Sequence, residues 1–149
     1  MADNVSNMTL KPIGFVRSEI TEPVHREFKD VIAEIVIDSS LTQALDNLDE
    51  FSHIIVLYWM HLSNRKPPLK IHPRGKQDLP LMGLFATRSP HRPNPIGKTT
   101  VRLLERHGNV LKVQGLDAID GTPVIDIKPY QPHNDSVENA RVPPWVNLH

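Results

Sequence analysis

Proline is the residue type that most restricts how this chain can fold. The 149 residues include 14 prolines but 7 glycines. Proline fixes φ and cannot donate a backbone hydrogen bond to a neighbouring strand. This composition predicts stiff loops between short strands.

The apolar patterning agrees with a mainly β protein. Seven segments are rich in β-branched or alternating apolar residues, as strands are: 14–20, 31–37, 54–59, 84–87, 100–104, 110–113 and 124–127. One short amphipathic helix is predicted from Leu41 to Leu48, with Ser40 as its cap. Because no βαβ alternation is visible, we expect a small closed or strongly curved β-barrel with one short helix and long loops.

Two turns and one long loop separate these segments. Gly108-Asn109 and Asp120-Gly121 are strong turn signals. Residues 64–81 hold four prolines and seven ionisable side chains, which predicts a long irregular loop. The length suits one domain, so we expect an N-terminal tail over residues 1–10 and a single domain over 11–149.

Several functional classes are disfavoured by what the sequence lacks. With no cysteine, disulfides, thiolate zinc sites and a cysteine nucleophile are excluded. His53, His61 and His72 match no zinc spacing, so no metal is expected. Neither G-x-G-x-x-G nor a P-loop is present, which argues against a Rossmann nucleotide fold. No signal peptide or membrane span is recognisable, so a cytoplasmic protein is the default expectation.

Charge is unevenly distributed along the chain. The formal net charge is zero, yet residues 61–106 contain ten Lys and Arg against two acidic residues, a local net charge of +8. A polyanion responds to such a local surface more than to the total charge. The alternative is a solvated loop with scattered cations, and charge alone does not separate the two.

The densest group of polar side chains lies between Gly83 and Lys98. Three prolines stiffen this segment, so Arg88, Arg92 and Asn94 are expected to point in fixed directions. Two guanidinium groups and an amide suit a phosphate, a carboxylate or a base edge. The alternative is that these arginines only pair with Asp117 or Asp120.

A second polar group lies near the end of the predicted barrel. Asp126 and Lys128 are two residues apart on a predicted strand, hence on one face, and Tyr130 follows Pro129. An acid, an ammonium and a phenol can form a catalytic group or a plain ion pair beside a tyrosine.

These segments together resemble a known family. Gly14–Ser18, Phe51–Leu57, Gly83–Gly97 and Asp120–Tyr130 look, in this order, like the successive signatures of the TsaA-like (TrmO) tRNA methyltransferase family. The resemblance implies a small β-barrel that binds S-adenosylmethionine, works as a homodimer, and methylates N6 of threonylcarbamoyladenosine beside the tRNA anticodon.

The resemblance also implies site residues. The positions that match the family's cofactor contacts are Pro23, Val24, His25, His61, Leu62, Arg88, Lys98, Asp117, Ala118, Ile119 and Asp120. Pro23-Val24-His25 departs from the family's Pro-Arg-Gln, and Leu62 replaces a residue that is often polar.

Roles for the remaining polar residues follow from the chemistry that the resemblance implies. Asp126, Lys128 and Tyr130 are the catalytic candidates, because an anionic N6 nucleophile needs a base or a stabilising cation. The candidates for contact with substrate are Arg92, Asn94, Arg65, Lys66, Lys70, Arg74 and Lys76. Two alternatives stay open: a methyltransferase acting on another RNA or a small molecule, and a non-catalytic module that binds S-adenosylmethionine or RNA.

Overall fold

A closed antiparallel barrel dominates the computed structural model, which describes residues 7–23 and 27–147. The strands in chain order are β1 Gly14–Arg17, β2 Ile32–Ile37, β3 His53–Trp59, β4 Lys70–Ile71, β5 Met82–Gly83, β6 Ile96–His107, β7 Val110–Gln114 and β8 Pro123–Pro129. Around the barrel the order is β1-β2-β7-β6-β3-β8, with β8 returning to β1. The predicted fold class is therefore confirmed.

The described residues divide into two units. The barrel unit comprises residues 7–23, 27–61 and 96–130, and the loop unit comprises residues 62–95 and 131–147. The loop unit contains the two-residue strands β4 and β5, which pair with each other, and a short helix α1, Pro132–Asp135. The expectation of one domain over 11–149 stays a prediction.

Alternation along the strands builds the core of the barrel unit. In β2, Ala33, Ile35 and Ile37 are buried while Ile32 is half exposed, as expected of a strand with one face inward. The fully buried side chains of this core include Val16, Ile35, Ile54, Val56, Val101, Leu111, Val113, Leu116 and Val124.

Most predicted elements are confirmed, with different lengths. Six of the seven predicted strands correspond to barrel strands, and β6 extends from Ile96 to His107, far beyond the predicted 100–104. The Gly108-Asn109 turn joins β6 to β7 with Gly108 at φ 60°, and Gly121 at φ 81° completes the second predicted turn.

Three local predictions differ from the structure in part or in full. Residues 84–87 are not a strand: Leu84–Ala86 form a 3₁₀ turn, and its bond from Thr87 N to Leu84 O replaces sheet pairing. The predicted helix is a 3₁₀ helix, Ser39–Leu45, whose cap is Asp38 rather than Ser40, because the Asp38 carboxylate accepts from Ser40 N. The predicted irregular loop 64–81 includes β4 and a 3₁₀ turn, Pro73–Gly75.

Gly97 marks a close approach inside the barrel. A Cβ atom built at this position would lie 2.3 Å from Tyr58 Cε2, and Tyr58 is 4% exposed with its hydroxyl 2.8 Å from Thr99 Oγ1. The ring is held by packing and by this hydrogen bond, so it has little room to move. Glycine is required here by space rather than by backbone conformation.

We therefore expect Gly97→Ala to lower the free energy of unfolding by about 1–3 kcal/mol, the usual cost of overpacking a core. Urea unfolding of the variant measures this directly. Gly83→Ala is the matched control, because a Cβ at Gly83 meets nothing within 4 Å. Equal unfolding midpoints for Gly97→Ala and wild type would contradict the packing argument.

Among the residues described, no helix is both long and apolar enough to cross a bilayer.

Candidate functional site

The polar segment that follows β5 is built on the 3₁₀ turn Leu84–Ala86. Leu84 is 4% exposed and anchors the turn, and its N–H donates to Leu69 O at 2.8 Å. Thr87, also buried, donates through Oγ1 to Leu84 O at 2.7 Å. These hydrogen bonds restrain the start of the segment, which we also expected its three prolines to stiffen.

Arg92 is part of this framework. Its Nη1 donates to Thr87 O at 2.9 Å and to Ser89 O at 3.1 Å, while its guanidinium carbon lies 5.7 Å from the centre of the Phe85 ring. The guanidinium that was predicted to reach substrate thus braces its own loop through backbone carbonyls, and an aspartate partner is not needed to explain it.

Arg88 and Asn94 lie exposed in the same segment. Neither has a hydrogen bond or ion pair to another residue that the structure describes. Both remain available for contact with a ligand, Arg88 as the predicted cofactor contact and Asn94 as the predicted substrate contact.

The predicted cofactor turn, residues 117–120, is tied to the end of β1. Asp120 Oδ1 accepts from Ser18 N at 2.9 Å, and Asp120 N donates to Ile20 O at 2.7 Å. Ala118 is buried and Ile119 half-buried, so their side chains anchor the turn. The Asp120 carboxylate therefore has a structural role, and the contact of this turn with a cofactor stays a prediction.

Asp117 differs from its neighbour. No described residue donates to its carboxyl group, and desolvation raises the pKa of that carboxyl above the ordinary value of 3.8. The side chain is nevertheless exposed, so a ligand can reach the carboxylate, and a cation beside it would offset the desolvation.

The raised pKa of Asp117 predicts a particular pH dependence. The folded state holds the Asp117 proton more tightly than the unfolded state does. The contribution of this proton to the free energy of unfolding is therefore fully present below the unfolded pKa and is lost as pH rises through the folded pKa. We expect Asp117→Asn to be more stable than wild type at about pH 7, and the advantage to vanish at about pH 3. Urea midpoints of both proteins at the two pH values test this; a constant difference would contradict it.

The predicted catalytic residues lie on the outer face of the barrel. Lys128 Nζ lies 3.1 Å from Asp126 Oδ2, which confirms that the two side chains share a face. The Tyr130 ring packs edge-on against His53, with 6.4 Å between centroids, and Tyr130 N donates to His53 O.

Lys98 joins this outer face through the register of the strands. Leu57 of β3 pairs with Asp126 of β8 on one side and with Lys98 of β6 on the other. Residues in register point to the same side of a sheet, and two strand spacings separate them by roughly 10 Å. The predicted cofactor contact Lys98 and the Asp126–Lys128 pair therefore share one surface.

The remaining positions that were predicted to contact the cofactor lie in different parts of the chain. Pro23 is exposed, whereas Val24 and His25 lie outside the described residues. His61 is exposed at the end of the barrel unit, and Leu62, 60% exposed, begins the loop unit.

Five of the predicted substrate contacts lie between residues 65 and 76 of the loop unit, and they fall into two groups. Lys66, Lys70 and Lys76 are exposed, and their ammonium groups make no hydrogen bond or ion pair with another described residue. Both arginines are engaged within the loop unit. Arg65 Nε donates to Pro93 O at 3.1 Å, and Arg74 Nη2 donates to Val146 O at 2.8 Å.

Arg74 also contacts the C-terminal segment of the loop unit. Its guanidinium carbon lies 5.7 Å from the centre of the Trp145 ring, and its own backbone is left-handed, with φ 58°. Trp145 is thus in contact with an arginine of its own chain.

One surface feature was missed by the sequence reasoning. Phe85 is 80% exposed and lines a groove of about 500 Å³ together with Leu69, Pro67 and Pro93, with Arg65 and Lys66 also in its wall. An alternating strand was expected here, and no sequence signal separates a strand from a 3₁₀ turn over three residues. The exposure of Phe85 therefore could not be predicted from the sequence.

No group of three or more His, Asp or Glu side chains in the described part of the chain is arranged to hold a metal ion.

Comparison with known proteins identifies the family. Residues 18–136 match the model of the tRNA-methyltransferase O N-terminal domain, so the chain belongs to the TrmO family and the resemblance in its sequence motifs is confirmed. The crystal structure of TrmO from Pseudomonas aeruginosa is similar, with a TM-score of 0.74 and 32% identity over 91% of this chain.

Two relatives come from Archaeoglobus fulgidus. An S-adenosyl-L-methionine-binding protein is 46% identical over 134 residues, covering 87% of this chain and 94% of the relative. A "probable S-adenosyl-L-methionine-binding protein" is 46% identical over 137 residues, covering 89% of this chain but 37% of the relative. The chain thus spans about a third of this second relative and 61% of the Pseudomonas structure.

Proposed function

We propose that this chain binds S-adenosylmethionine and transfers its methyl group to N6 of threonylcarbamoyladenosine beside the tRNA anticodon. The observation that carries the cofactor part is Asp117, an exposed carboxylate without a hydrogen bond or ion pair to another described residue, in the turn that the sequence resemblance assigns to the cofactor. Family membership and relatives named for S-adenosylmethionine binding support it.

The chemistry of the turn fits this cofactor. S-adenosylmethionine carries an ammonium and a sulfonium, and a desolvated carboxylate binds a cation more strongly than a hydrated one does. The Asp120 bond to Ser18 and the burial of Ala118 hold the turn in place, so Asp117 is ready to bind without reorganisation.

Methyl transfer from a sulfonium is an in-line displacement, for which positioning contributes much of the rate. The acceptor N6 lies between an adenine ring and a carbamoyl carbonyl, so its lone pair is delocalised and its proton is more acidic than that of an amine. We propose that N6 gives up its proton to solvent water and that Lys128 stabilises the negative charge that develops on the acceptor. Asp126, 3.1 Å away, orients the ammonium, and Tyr130 packed on His53 borders the same strand end.

The first test concerns the cofactor. We expect calorimetry to show S-adenosylmethionine binding that is unchanged by EDTA, and Asp117→Asn to weaken it roughly 10- to 150-fold, since a hydrogen bond to a charged group contributes about 1.5–3 kcal/mol. Asp49→Asn, an exposed acid in the 3₁₀ turn Leu48–Glu50, is the matched control and should bind normally. Loss of binding in EDTA, or normal binding by Asp117→Asn, would contradict the proposal.

The second test concerns the substrate. If Lys66, Lys70 and Lys76 contact tRNA phosphates, changing all three to Gln should weaken tRNA binding. It should also lower the slope of log affinity against log salt by up to about 2, because each single-strand phosphate contact contributes about 0.7. Lys11, Lys29 and Lys112, changed together to Gln, remove the same charge from the barrel unit and serve as control. An unchanged salt slope in the Lys66, Lys70 and Lys76 variant would show that these lysines are only solvated.

The nature of the product decides between related activities. Mass spectrometry of tRNA nucleosides, after incubation of tRNA with the protein and S-adenosylmethionine, should show the N6-methylated threonylcarbamoyladenosine. A methyl group on another nucleoside would indicate another RNA substrate, and binding without transfer would indicate a non-catalytic module.

Two further expectations stay predictions. The homodimer is expected from the family resemblance; an exposed Trp145 would also have suited an interface between two copies, but the structure places its ring against Arg74 of its own chain. A cytoplasmic location is expected of a protein that acts on tRNA, so this expectation depends on the proposed substrate.

A further inference from the structure

Phe85 is a large apolar side chain held in an exposed position. Its side chain is 80% exposed, although the residues on either side of it in the fold are firmly anchored. Leu84 is buried and bonded to Leu69 O, and Thr87 closes the turn onto Leu84 O. A rigid turn that presents an aromatic ring to solvent forgoes the stabilisation that burial of the ring would give. A role of the ring in binding explains why it is exposed.

The ring is supported from within the loop. The Arg92 guanidinium lies 5.7 Å from the ring centre and is itself fixed by Thr87 O and Ser89 O. A cation placed by two carbonyl groups limits the rotation of the ring that it contacts. The ring is therefore preorganised, and little side-chain entropy remains to be lost on binding.

The surroundings of Phe85 combine apolar and cationic groups. Leu69, 82% exposed, lines the same groove of about 500 Å³ with Pro67 and Pro93. Lys66 lies in its wall, and its ammonium has no partner among the described residues. Residues 62–95 carry seven Lys and Arg against Asp78, a net charge of +6.

This combination favours one class of occupant. An apolar surface of a second protein would match the apolar residues of the groove, but it would leave the concentrated positive charge around them without a complement. A single-stranded RNA segment complements both, since unpaired bases stack on aromatic rings while their phosphates bind nearby cations. We propose that Phe85 stacks on an unpaired base of the RNA substrate and that Lys66 binds an adjacent phosphate. This inference rests on the proposed function and adds to it the contact that selects unpaired over paired RNA.

The experiment compares two RNA probes. One is a fluorescein-labelled tRNA anticodon stem–loop, and the other is a fully paired RNA duplex. Affinity is measured by anisotropy for wild type, Phe85→Leu, Phe85→Tyr and the control Phe15→Leu, which makes the same change at a residue 48% exposed on β1. Urea unfolding of each variant confirms that it is folded.

We expect Phe85→Leu to bind the stem–loop roughly 5- to 150-fold more weakly, the range that loss of one base–aromatic stack produces. Its affinity for the duplex and its salt slope should be unchanged, because no cation is removed. Phe85→Tyr keeps the ring and should bind like wild type, as should Phe15→Leu.

Several outcomes would overturn the inference. Equal stem–loop affinity of Phe85→Leu and wild type shows that no base stacks on Phe85. Loss of S-adenosylmethionine affinity in calorimetry with normal RNA binding assigns the ring to the cofactor instead. A change in oligomeric state by sedimentation, with normal RNA binding, assigns the groove to a second copy. If wild type itself binds neither probe, the RNA part of the proposed function fails. This outcome is distinguishable from the others, because the Phe85 variants then have no wild-type affinity with which to be compared.

Discussion

The closing contact between β1 and β8 is the constraint on which the rest of the molecule depends. Only Gly14 and Phe15 pair in register with β8, and bonds from Ile13 N to Val124 O and from Val16 N to Thr122 O extend the contact. A Cβ atom at Gly14 would lie 2.2 Å from Val36 O, so a glycine lets β1 approach β2 closely enough to close the barrel. Just beyond the other end of β1, Ser18 N donates to the Asp120 carboxylate, and this bond places the turn that contains Asp117. Barrel closure and the position of the candidate cofactor carboxylate are thus consequences of one short strand.

The barrel could be predicted from the sequence because its strands carry their own signal. Segments such as Val31–Ile37 and Ile54–Trp59 are apolar and β-branched, and they bury the residues that this pattern implies. The extent of β6 could not be predicted, because Ile96–Thr99 follow a proline-rich loop and gain strand geometry only by pairing with β3. At residues 84–87 a local hydrogen bond decided the outcome, and that bond depends on the burial of Leu84, a tertiary property.

The candidate site shows the same division. Spacing alone placed Asp126 and Lys128 on one face, and they are an ion pair. The roles of the arginines could not be read in this way, since a guanidinium suits a backbone carbonyl as well as a phosphate. Arg92 and Arg74 are directed by the fold to carbonyl groups of their own unit. Nor did the sequence reveal that Asp120 has a hydrogen-bond partner while Asp117 has none among the described residues, because that difference is set by where β1 ends.

The fixed arginines of the loop unit have a kinetic consequence. A hydrogen bond to a neutral carbonyl leaves the charge of Arg65, Arg74 and Arg92 intact, so each still contributes to the field that attracts a polyanion over a Debye length of about 8 Å at physiological ionic strength. Such charges accelerate the diffusional encounter without having to leave their places. If the partner is the proposed tRNA, the lifetime of the encounter complex would then depend on the exposed lysines and on apolar contact. Approach and retention would therefore depend on different side chains of the loop unit.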